Sequence, residues 1–109
     1  MAFDELIAER VRDVLAEEHP ITEKRMFGGL AFMVDGHMCC GIVGEELVVR
    51  VGAEAHQESL SLPHARTMDF TGRPMKGFVY VGPAGYNTKP ALRKWIRRGL
   101  RFVRQLPPK

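Results

Sequence analysis

Four groups of residues have the types and spacing to do chemistry. Near the C-terminus, Arg93, Arg97, Arg101 and Arg104 recur at helical spacing and fall in one stripe, which Lys94 and Arg98 widen. Such a stripe can neutralise nucleic-acid phosphates or dock on an acidic partner. The competing reading is a solvated or internally paired face. The first helical segment carries Asp4, Glu5, Glu9, Asp13, Glu17 and Glu18 and can lie alongside. This plainer reading is favoured, because surface pairing and solvation are commonplace. No paired aromatics flank the stripe for base stacking, and neither helix-turn-helix nor zinc-finger spacing is present.

The second group is the stretch Asp69 to Gly77, read as a polar loop. Arg73 and Lys76 supply positive charge, while Gly72 and Gly77 let a ligand approach the backbone, so the stretch could hold a small anion. Walker A spacing is absent. A structural connection stiffened by Pro74 and plugged by Phe70 and Met75 is the favoured reading. The third group is His37-Met38-Cys39-Cys40. Alternation along a strand sends Cys39 and Cys40 to opposite faces and leaves at most His37 and Cys39 together, too few ligands for zinc. Two buried free thiols, and no metal, are expected. The fourth is the pair His56 and His64, with only Ser59 and Ser61 as serines. No nucleophile elbow, dinucleotide fingerprint or HExxH accompanies them, so no catalytic residue, cofactor or enzymatic activity is expected.

The elements that must position these residues read as α-βββ-α-ββ-α. Phe3, Leu6, Ile7, Val11, Val14 and Leu15 share one helical face, and His19-Pro20 ends that helix. Leu30–Val34 and Met38–Val43 flank Asp35-Gly36, the strongest short hairpin signal. Gly44-Glu45-Glu46 turns into a strand at 47–51, which Gly52 stops. A short helix fits Ala53 to Leu62, and two strands fit Met68–Phe70 and Phe78–Val81. Thr88 caps the last helix, with Pro90 in its first turn and Leu92, Trp95, Ile96, Gly99, Phe102 and Val103 on its apolar face. The expected architecture is α+β in two layers, a mainly antiparallel five-stranded sheet with helices over one face.

The 109 residues suit one domain over 1–109. No apolar run reaches membrane-span length and the N-terminus lacks the order of a signal peptide, so a cytoplasmic protein is expected. The net charge of +3 divides unevenly. Up to Thr88, eight Lys and Arg stand against thirteen Asp and Glu, a net −5; from Lys89 onward there are eight cations and no acid. An acidic body carries a basic last segment.

Two stretches taken together resemble the N-terminal domain of the TfoX (Sxy) family of bacterial competence regulators. One is Arg25-Met26-Phe27-Gly28-Gly29-Leu30-Ala31-Phe32-Met33, continuing through Asp35-Gly36 to Cys40-Gly41. The other runs from Leu62-Pro63-His64 through Asp69-Phe70-Thr71-Gly72-Arg73-Pro74-Met75-Lys76-Gly77 to Val81. The resemblance implies a secretion-chaperone-like α+β fold and a non-enzymatic, regulatory role through a protein partner, with the transcription machinery a candidate. Full-length regulators of this type act with a cyclic-AMP receptor protein at competence promoters and carry a second, C-terminal domain, so a stand-alone copy of the first domain is expected here. Fold analogy adds a homodimer. The expected interaction surface comprises Arg25, Arg66, Arg73 and Lys76, with Gly28, Gly29, Gly72 and Gly77 setting its backbone, and a second surface of Arg93, Arg97 and Arg101. Direct nucleic-acid binding by the basic helix and anion binding at 69–77 are the alternatives.

Overall fold

Asp4 caps the first helix: its carboxylate accepts hydrogen bonds from the backbone N–H groups of Leu6 (2.9 Å) and Ile7 (3.3 Å). The computed structural model describes residues 4–26, 28–70 and 73–107; the side chains at 26, 68–70 and 73–75 lie outside that description, as do Phe3, Gly72 and Lys109. Helix α1 spans Glu5–Glu18 and stops before Pro20. It buries Ala8, Val11, Val14 and Leu15. Leu6, expected on that face, is 72% exposed. Its neighbour Ile7 takes the core-facing direction of the first turn, so Leu6 points away from the sheet.

Six strands follow, one more than expected: β1 (Thr22–Met26), β2 (Gly29–Val34), β3 (His37–Val43), β4 (Glu46–Arg50), β5 (Ala65–Phe70) and β6 (Arg73–Val81). They form one antiparallel sheet in the order β1-β2-β3-β4-β6-β5. The additional strand, β1, reads Thr-Glu-Lys-Arg-Met and has no apolar run. It is an edge strand whose ladder partner supplies the order that its own side chains do not. The β2–β3 turn has Asp35 at φ +52° and Gly36 at φ +83°, the backbone that a two-residue hairpin demands. Helix α2 is shorter than expected, His56–Leu60. Helix α3 spans Lys89–Val103; Thr88 accepts from the Ala91 N–H at 3.2 Å and Pro90 sits in the first turn.

The stretch 69–77, expected as a loop, is mostly hairpin. Strand β5 runs to Phe70 and β6 starts at Arg73, with Asp69 opposite Pro74 and Phe70 opposite Arg73. The alternation rule failed here because Arg73 and Pro74 are poor strand signals, whereas backbone pairing needs no apolar side chain. Gly77 still sets local backbone, at φ +91°; its carbonyl accepts from the N–H groups of Val51 (2.8 Å) and Gly52 (3.0 Å).

The two sheet faces hold separate apolar clusters. The larger joins Leu30, Phe32, Ile42, Leu47, Val49, Val79 and Val81 to the buried residues of α1 and α3. The smaller consists of strand residues alone: Ala31, Met38, Val48 and Tyr80, with Met33, Val43 and Phe78 half-buried against them. The cysteines depart from expectation. Between Phe32↔Cys40 and Met33↔Met38 the register slips, leaving Cys39 as the extra residue of a β-bulge. Cys39 and Cys40 are both fully buried in the helix-side cluster, not sent to opposite faces. Contact with Cys39 and burial push the Cys40 thiol well above its ordinary value, so it stays protonated.

Candidate functional site

The basic residues of α3 do not act as one stripe. Lys89 Nζ lies 3.0 Å from Glu17, Arg93 Nη2 3.2 Å from the other oxygen of Glu17, and Arg97 2.9 Å from Glu18. Helix α1 therefore neutralises one side of α3, as the plainer reading of the sequence held. The paired carboxylate of Glu17 is held below its usual range by hydrogen bonds from Lys89 and Arg93. Arg98 turns the other way, to Glu58 at 3.0 Å and Ser59 Oγ at 3.4 Å, with its guanidinium over the Trp95 ring at 5.7 Å. Lys94, Arg101 and Arg104 make no ion pair among the described residues.

The first expected surface is dispersed in the fold. Arg25 lies on β1 and Arg66 on β5, the two edges of the sheet, about 24 Å apart at the usual strand spacing. They also take opposite faces: Arg25 is opposite Leu30 of the helix side, whereas Arg66 lies over Tyr80 on the other side at 4.5 Å. Arg73 and Lys76 belong to β6; the Arg73 side chain lies outside the described residues and Lys76 is exposed. Gly28 has φ +73°, in the turn between β1 and β2. At Gly29 a Cβ would meet the Ile42 carbonyl oxygen, so no larger residue fits. Gly72 lies outside the described residues. Of the histidines, His37 Nε2 is 2.6 Å from the Pro107 carbonyl, and His56 is buried with no hydrogen-bond partner for Nε2 among the described residues.

The sheet face away from the helices carries the arrangement that these expectations missed. Helices α1 and α3 pack their buried apolar side chains into the larger cluster, α2 adds only the half-buried Leu60, and no described helix contributes to the smaller one. The result is an apolar centre of Met33, Met38, Val43, Val48, Phe78 and Tyr80. Charges of both signs border it. Arg66 reaches Glu46 at 2.9 Å, Arg50 lies over the Phe78 ring at 5.7 Å, and Lys24 stands opposite Ala31 in the ladder. Glu46 Oε2 is buried with no hydrogen-bond partner among the described residues. A signal was present in the sequence: Leu30–Val34 and Leu47–Val49 are uninterrupted apolar runs, which mark strands with two apolar faces.

The TfoX N-terminal domain family model matches residues 13–103. The chain belongs to that family. The match runs from α1 to the end of α3, so it takes in every strand and both sheet faces. No curated protein is similar enough to match the chain. The family supports a regulatory or interaction role. No helix among the described residues is long and apolar enough to cross a membrane.

Proposed function

We propose that this TfoX N-terminal domain is a cytoplasmic regulatory module that acts by contact, catalyses no reaction, and uses the outer face of its sheet as the contact surface. The observation that carries the reading is the second apolar cluster, built from strands alone. An apolar centre inside a polar rim is the usual anatomy of a protein interface. The buried, unpartnered Glu46 oxygen is a polar group that a partner would satisfy. The rim carries both Glu46 and the cations Lys24, Arg50 and Arg66, so it is complementary to itself. The first partner is therefore a second copy, joined about a two-fold axis. The process regulated is transcription, on the strength of the resemblance to competence regulators.

Light scattering over a range of concentrations tests the surface. Wild type should associate as concentration rises. Met33→Lys, at a half-buried position of the outer face, should stay monomeric with an unchanged circular dichroism spectrum. Equal association by both proteins would remove the outer face from the reading.

A further inference from the structure

The side of α3 turned away from α1 lines a cleft of about 510 Å3. Its other wall is the segment leading into β5 and the 3-10 turn Pro83–Gly85. Leu62, Pro63, Ala84, Ala91 and Trp95 give it an apolar lining. Lys94, Arg98 and Arg101 give it cations, joined by Arg97, which Glu18 already pairs, and no described acid lines it. The volume is in the range of small-molecule sites.

Three observations set this cleft apart from an ordinary solvated face. First, acids elsewhere quench α3 where it meets α1, yet Lys94 and Arg101 have no ion-pair partner among the described residues. Arg98 is held by Glu58, whose side chain is 69% exposed, so that pair is weak and a bound anion can replace it. Second, His64 enters the cleft wall from left-handed backbone, φ +69°, a conformation that is strained for a non-glycine residue. The fold holds it there: the His64 carbonyl accepts from the Gly82 N–H at 3.0 Å, and a Cβ at Gly85 would come 2.9 Å from the His64 Cβ. Strained residues held by their surroundings concentrate at ligand sites. Third, Ala84, Gly85 and Ala91 are all small, so the cavity persists between the cations and the floor. Arg98 and Arg101 also border a neighbouring cavity of about 380 Å3, which contributes one acid, Glu54.

We infer that this cleft binds a small organic anion, a phosphate or carboxylate group on an apolar body. The apolar body lies on Leu62, Pro63 and Trp95. The anionic group takes Lys94 and Arg101, with Arg98 as a planar fork suited to either oxyanion. This site is separate from the outer sheet face and does not depend on it.

Trp95 is the sole tryptophan, so its indole N–H gives one resonance in a nitrogen–proton correlation spectrum. Phenyl phosphate, phenylacetate and inorganic phosphate are titrated in turn. At least one of the two aromatic anions should shift that resonance saturably, and inorganic phosphate should bind more weakly than phenyl phosphate. Whichever aromatic anion binds more tightly identifies the oxyanion. Lys94→Gln with Arg101→Gln should weaken binding by more than about tenfold, the least that losing even one charge-assisted contact would give. Arg104→Gln, just past the end of the same helix and outside the cleft, should leave affinity unchanged. No saturable shift up to about 10 mM of either aromatic anion would overturn the inference, being weaker than millimolar affinity. Equal weakening by Arg104→Gln would overturn it too, by showing general charge attraction. So would binding confined to duplex DNA.

Discussion

The two faces of the sheet are built from the same residue types and have different fates. On one face Ile42, Leu47, Val49 and Val81 lie under α1 and α3 with no exposure. On the other, Met33, Val43 and Phe78 remain half-buried, and Ala31 and Val48 are buried with no described helix over them. The difference teaches that apolar character in a strand specifies burial, while coverage is specified by the helices. Helix α3 reaches its face through Gly99. A Cβ there would sit 2.7 Å from the Cys39 carbonyl oxygen, over the bulge. The bulged strand and the missing side chain fit one another. The outer face has no counterpart to Gly99 among the described helices.

The largest effect should fall on the covered face. Ile42→Ala should cost about 2–5 kcal/mol in urea unfolding, since the site is sealed and cannot collapse easily. Gly99→Val should follow at about 1–3 kcal/mol, because the added atoms meet backbone, which cannot turn aside. Next is Tyr86, at the edge of the same core, whose hydroxyl donates to the Glu45 carbonyl. Burial raises its pKa to about 12. The folded state then holds a proton that the unfolded state releases near pH 10, so stability should fall as pH rises from about 10 through about 12. Tyr86→Phe should cost about 0.5–1.5 kcal/mol at neutral pH and remove that share of the alkaline loss.

On the outer face, Met33→Ala should cost about 1 kcal/mol or less in the monomer. A loss equal to that of Ile42→Ala would break the comparison, since it would mean that the outer face is as sealed as the core. The smallest effect should come from Glu17→Gln. The Glu17 carboxyl is held low by Lys89 and Arg93, so its contribution is present at neutral pH and lost as pH falls through its folded pKa. The variant should melt as wild type does near pH 7 in moderate salt, with a slightly shallower decline below about pH 4.5. A large loss at pH 7 would show that α1 and α3 depend on this exposed pair.

Both long helices were legible from apolar spacing, and the start of α3 from the capping residue Thr88. Short-range rules suffice there because each cap and each helical face involves residues within a few positions. The Asp35-Gly36 hairpin was equally local. Strand β1 was not, since its polar residues are ordered by pairing with β2. The hairpin at 69–77 was missed for the same reason, and so was the Cys39 bulge, which exists only in register with Phe32 and Met33.

The candidate sites divide along the same line. The charge imbalance between α3 and the rest of the chain is written in the sequence, and so is the family, through motifs that span most of the chain. Which cations are neutralised is a matter of helix placement. Glu17 meets Arg93 across 76 positions and Glu18 meets Arg97 across 79, while Lys94 and Arg101 on the same helix turn to the cleft. Arg25 and Arg66 share a chemistry in the sequence and part to opposite edges and faces in the sheet. Sequence determines what each residue can offer, because charge, size and backbone freedom are local properties. Only the tertiary structure decides which offers remain open, because pairing and burial join groups that are far apart along the chain.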